Sequence, residues 1–95
     1  MKVQQMINKN YNPVANQFII ESTYKDGRRK ALYFQSYDSI IVKRAKGKTY
    51  LDSRYWDYSV TTGKYRNQFL SEGIADTREK IQNGEYILTD LNKEK

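Results

Sequence analysis

A chain of 95 residues is long enough for one compact core and too short for two. With no Cys and no His it has no disulfide, thiolate metal site, thiol nucleophile or imidazole base, so catalysis would rest on carboxylates or lysines. The formal charge is +6, and the whole excess lies between residues 25 and 48, where eight bases stand against two acids.

Over residues 1–16, Val3, Met6 and Ile7 share one face at helical spacing before Asn12-Pro13, which predicts a short helix or irregular arm. The same segment lacks the continuous apolar run of an export signal, and no stretch of the chain is long enough to cross a bilayer. The expectation is a soluble cytoplasmic protein with no membrane partner.

From Gln17 the pattern changes to a strand, with Phe18, Ile20, Ser22 and Tyr24 on one face and Ile19, Glu21 and Thr23 on the other. Lys25-Asp26-Gly27-Arg28 then places Asp-Gly between strand-like runs, predicting a two-residue hairpin turn with both central residues at positive φ. Residues 29–34 are the returning strand. A second run, Ser39-Ile40-Ile41-Val42-Lys43-Arg44, passes through Ala45-Lys46-Gly47-Lys48 into Thr49-Tyr50-Leu51, so residues 17–51 form two basic hairpins.

After Trp56 the character becomes helical. Ser59, Thr61 and Thr62 are candidate N-caps, Tyr65, Phe69 and Leu70 make an apolar stripe, and Gly73 is the expected stop. Asp76-Thr77-Arg78-Glu79 predicts a second N-cap at Asp76, with Ile81 as anchor and Gly84 as stop, so two helices occupy 59–84. A final strand is expected over 85–90, followed by a frayed polar tail from Asn92 to Lys95. The fold class is α+β in a single domain: a four- to five-stranded antiparallel sheet built from two β-hairpins, with two short helices packed on one face.

Chemistry has few places to reside. Asp52 and Asp57 flank Arg54, Tyr55 and Trp56 and have the spacing to hold a cation or flank a sugar, but they read as turn and helix-start acids. Gly47-Lys48-Thr49 ends like a phosphate-binding loop, yet Val42 stands where the upstream glycine belongs, so it reads as a turn. Gly63 and Lys64, with Arg66, offer a weak anion site at a helix start and read as a solvated helix face. No catalytic residue, cofactor or metal ligand is assigned.

The binding candidates are Lys25, Arg28, Arg29, Lys30, Lys43, Arg44, Lys46 and Lys48. Alternation places Arg29 with Ala31 and Tyr33, and Lys30 with Leu32 and Phe34, so the bases gather at the hairpin tips. Side by side, those tips form a positive patch for phosphates, with Tyr24, Tyr33, Tyr37 and Tyr50 near enough to stack on unpaired bases. The competing reading has the lysines at hairpin tips and sheet edges guarding against edge-to-edge aggregation and aiding solubility, and the tyrosines filling a thin core. Tyr55, Trp56, Lys64 and Arg66 form a secondary partner-binding candidate, for which core packing of the aromatics is the alternative.

The run Tyr33-Phe34-Gln35-Ser36-Tyr37-Asp38-Ser39-Ile40-Ile41, then Tyr50-Leu51-Asp52, then Trp56-Asp57-Tyr58-Ser59-Val60-Thr61-Thr62-Gly63-Lys64-Tyr65 with Phe69-Leu70, and finally Gly84-Glu85-Tyr86 with Asp90-Leu91, resembles a group of small uncharacterised proteins encoded by phages and mobile elements of Gram-positive bacteria. The resemblance spans about residues 33–92 and carries no activity or ligand. It implies a phage-type accessory role: a non-enzymatic inhibitor of a host nucleic-acid-handling complex, such as an anti-CRISPR acting on a Cas effector. The partner is then a host protein or nucleoprotein complex. The basic segment argues against DNA mimicry and for attachment to an acidic protein surface or to RNA. The alternative is direct DNA or RNA binding through the hairpin tips.

Overall fold

The computed structural model describes residues 1–93 and arranges them as β1 (Lys2–Ile7), β2 (Pro13–Thr23), β3 (Arg29–Ser36), β4 (Ser39–Ala45), β5 (Lys48–Asp52), α1 (Val60–Leu70), α2 (Ile74–Gln82) and β6 (Tyr86–Thr89). All strands lie in one six-stranded sheet in chain order. The first five form an antiparallel meander, whereas β6 pairs parallel to β5. A parallel neighbour requires the chain to cross back over the sheet, and α1 and α2 are that crossover. The α+β class holds, but the expected four or five antiparallel strands become six with one parallel pair at the edge.

The first segment is strand rather than the expected helix. Val3 and Ile7 stay exposed and Met6 is buried, a pattern that β1 achieves by pairing Lys2–Gln5 with Phe18–Glu21 of β2. Asn8 closes the connection, its Oδ1 accepting from the backbone N–H groups of Asn10 and Asn12. Three apolar residues at helical spacing do not stabilise so short a helix in water, while an existing strand edge satisfies the backbone of β1 along its length.

The turns also redistribute the expected geometry. Between β2 and β3, Gly27 N–H donates to Tyr24 O and Tyr24 N–H to Arg28 O, a three-residue loop in which Gly27 carries the positive φ (90°). The two-residue turn with two positive φ values lies instead between β4 and β5, at Lys46 (54°) and Gly47 (75°).

Ser59 caps α1 as expected, its hydroxyl accepting from Thr62 N–H. α1 stops at Ser71, in the left-handed region, and Gly73 then becomes the N-cap of α2, which moves Asp76 from the expected cap into the first turn. Gly84, at positive φ, follows α2 as expected.

The core is the layer between the helices and one sheet face. Phe34, Ile41, Val42 and Leu51 are fully buried and pack with Tyr65, Leu70 and Tyr86, while Phe34 stacks on Phe69 with centroids 5.8 Å apart. Each such side chain contributes about 1.5–3 kcal/mol. Ser36 and Thr62 join sheet to α1 through hydroxyls 2.8 Å apart. Asn92 is held rather than frayed: it accepts from Ile40 N–H and donates to Ile40 O, bracketing β4. Glu94 and Lys95, the end of the expected tail, lie outside the described residues. Among the described residues no helix is long and apolar enough to cross a membrane.

Candidate nucleic-acid interface

Because successive strands are antiparallel, the β2–β3 and β4–β5 turns emerge at the same end of the sheet, with β3 and β4 paired between them. The two hairpins therefore lie side by side. A groove of about 410 Å³ runs between them, lined by Arg29, Lys30, Arg44, Lys46 and Lys48 with Leu32 and Thr49 among the other lining residues, and with no acidic side chain among the described residues.

Two of the eight basic candidates are tied to acids. Arg28 pairs with Asp26 at 2.7 Å and Arg29 with Glu21 at 2.9 Å, both at exposed sites where such pairs are weak. Among the described residues, Lys30, Lys43, Arg44, Lys46 and Lys48 have no carboxylate partner. Tyr24 supports the tip from below, with Arg28 5.3 Å and Lys30 6.0 Å from its ring centre. Arg44 lies 5.6 Å from the Phe69 ring and donates Nε–H to Thr49 Oγ1. Aromatic and hydroxyl contacts orient these cations without neutralising them. Lys25 is exposed on the first turn.

One facing differs from simple alternation. The register slips between Ser22 and Thr23, so that Ser22 pairs with Ala31 but Thr23 with Arg29. The bulge at Lys30 lets Arg29 reach Glu21, which shares the face of Leu32.

Lys43 stands apart from the groove. Register places Tyr33, Lys43 and Tyr50 side by side on the sheet face opposite the helices, and Lys43 Nζ is 5.9 Å from both ring centres. Val3 and Ile20 extend this row beyond Tyr33, and Ile87 extends it beyond Tyr50. Within a strand the alternation around buried Phe34 and Leu51 already signals the facing of Tyr33 and Tyr50; their alignment across strands depends on register. Of the other tyrosines, Tyr24 is at the hairpin end and Tyr37 sits exposed on the β3–β4 turn at the far end.

The secondary candidates divide. Arg66 is 1% exposed, donates to Trp56 O, Asp57 Oδ1 and Asn67 Oδ1, and lies over the Trp56 ring. It clamps the loop before α1, and the guanidinium beside Gly63 is already bonded to Trp56, Asp57 and Asn67. Tyr55 and Trp56 are half-buried against the core, and Lys64 is exposed. Asp52 is fully buried and accepts from the N–H groups of Arg54, Tyr55 and Leu91, while Asp57 engages Arg66 and Arg78. Both acids thus hold the loop before α1 together.

Sequence reasoning missed Glu72, whose partners come together only through the fold. It accepts from Lys80 at 2.7 Å, Thr77 at 2.7 Å and Tyr86 at 2.9 Å. Burial pushes its carboxyl up, but the three donors outweigh burial and hold it below the ordinary value. The Tyr86 hydroxyl is raised by burial and by its bond to Glu72, and Lys80 is raised mainly by that carboxylate.

The profile of a family of unknown function (DUF8033) matches residues 1–86. No curated protein and no solved structure matches the chain.

Proposed function

The chain belongs to that family of unknown function, and we propose that it is a non-enzymatic binding protein whose hairpin end engages the phosphate backbone of DNA or RNA. The carrying observation is the groove lined by Arg29, Lys30, Arg44, Lys46 and Lys48, with no acid among the described residues of its walls. Converging cations of this kind repel one another in the free protein and gain most from a polyanion, because each neutralised phosphate also releases its condensed counterions. Edge protection by lysine, the alternative use of such residues, needs charges on the outer strands; these lie at turns and on β3 to β5, inside the sheet.

The same groove serves the inhibitor role expected of a phage-type accessory protein, by holding RNA within a host nucleic-acid-handling complex such as a Cas effector. The test is fluorescence anisotropy with labelled DNA and RNA, duplex and single-stranded, at low salt. Lys46→Glu combined with Lys48→Glu is expected to weaken binding at least about tenfold with no fall in the urea midpoint. Absence of binding by the wild type, or equal binding by the variant, overturns the reading. A protein complex recovered from lysate after nuclease treatment, surviving the charge reversal, assigns the chain to protein attachment instead.

A further inference from the structure

The row Tyr33, Lys43 and Tyr50 lies on the sheet face that the helices leave open, and neither core packing nor the groove accounts for it. Both rings are half-exposed. Among the described residues their hydroxyls donate no hydrogen bond, and Lys43 between them has no carboxylate partner. A shallow depression of about 440 Å³ adjoins them, closed on the far side by the segment Thr89 to Leu91 and by Lys93. Among the described residues Asp90 is the one acid on its wall, and its Oδ1 is already accepting from Asn92 N–H.

We propose that this face binds unpaired nucleotides, whose bases stack on Tyr33 and Tyr50 while a phosphate meets Lys43. The proposal rests on the groove reading, because the two surfaces are continuous: Lys48 pairs with Ala45 two positions along from Lys43 and Tyr50, on the same sheet face, and it also lines the groove. A strand held at the hairpin end therefore reaches the tyrosine row along β4 and β5. Charge complementarity selects the occupant. Burying an unpaired ammonium in the centre of a flat protein interface costs desolvation energy without return, and charged residues are depleted from such centres. A nucleotide supplies both missing partners, an anion for Lys43 and a flat π-surface for each ring. Duplex DNA or RNA has its bases stacked internally and offers the rings nothing.

The experiment compares a labelled oligothymidylate with a duplex of equal length, for the wild type, for Tyr33→Leu with Tyr50→Leu, and for the groove variant Lys46→Glu with Lys48→Glu. The expected result is that the tyrosine variant loses single-strand affinity at least about tenfold with duplex affinity changed less than twofold, while the groove variant loses both. Equal single-strand binding by the tyrosine variant overturns this inference and leaves the groove reading standing. Absence of binding to either probe by the wild type overturns both. Should the tyrosine variant fail to fold, photocrosslinking of wild type to a 5-iodouracil oligonucleotide decides the matter: adducts at Tyr33 or Tyr50 support the inference, and adducts confined to the hairpin end overturn it.

Discussion

Lys46 occupies the left-handed region, with φ of 54°, at a turn position where Asn or Gly is the ordinary occupant. A non-glycine side chain pays about 1 kcal/mol there, and this one lines the groove. Strain kept at a surface cation suggests use rather than folding economy. Lys46→Asn is expected to raise stability by about 0.5 kcal/mol in urea unfolding, since Asn tolerates the conformation better, while weakening nucleic-acid binding. Ser71 supplies the contrast. It adopts the same region (58°) at the end of α1, where Glu72 N–H donates to Asn67 O, and it lines no part of the groove. Ser71→Gly relieves its strain by about 1 kcal/mol and is expected to leave binding unaltered. A variant pair that moves stability together but separates in affinity identifies Lys46 as functional; equal affinity for both removes it from the interface.

The elements meet at Glu72, which ties the end of α1 to α2 through Thr77 and Lys80 and to β6 through Tyr86. Its folded-state pKa lies below the ordinary 4.5, so the clasp stabilises the fold fully above that value and is lost as pH falls through the lower folded-state value. On the alkaline side Lys80 and Tyr86 are raised, so their contribution is present below 10.5 and 10.0 and is lost as pH rises past the folded-state values. Urea midpoints measured from neutral pH down to about pH 2 are expected to fall more steeply for the wild type than for Glu72→Gln, which has no charge to lose; parallel profiles would remove the clasp from the acid response. None of this was readable in advance, because Glu72, Lys80 and Tyr86 share no helical or strand spacing. The hairpin ends were legible, since Gly27 and Gly47 mark turns through backbone freedom alone. The N-terminal strand was not: three apolar residues fit a helix face equally well, and only the presence of β2 as a partner decides for β1. The helix boundary near Gly73 shifted for a similar reason, Ser71 taking the left-handed position as its own N–H and that of Glu72 both donate to Asn67 O.

Across the whole molecule, the sequence located the charge but not its division between two faces. The eight basic candidates separate into a groove set, a first-turn set and Lys43 on the open face, because bulges at Ser22/Thr23 and Phe34/Gln35 set which side chains align. That division makes the salt response of binding informative. Of the five groove cations, Arg29 is already paired with Glu21, leaving four to meet phosphates. Four contacts predict a slope of log affinity against log salt of about −3.6 for duplex DNA, and Lys43 as a fifth contact makes it about −3.5 for a single strand. Stacking on Tyr33 and Tyr50 adds affinity that salt does not screen, so single-strand binding should persist at salt concentrations that abolish duplex binding. Anisotropy titrations from 50 to about 400 mM NaCl measure both quantities. A slope near zero for the duplex would mean that the groove does not carry the contact, and curves that fall together for both probes would mean that the open face adds nothing to it.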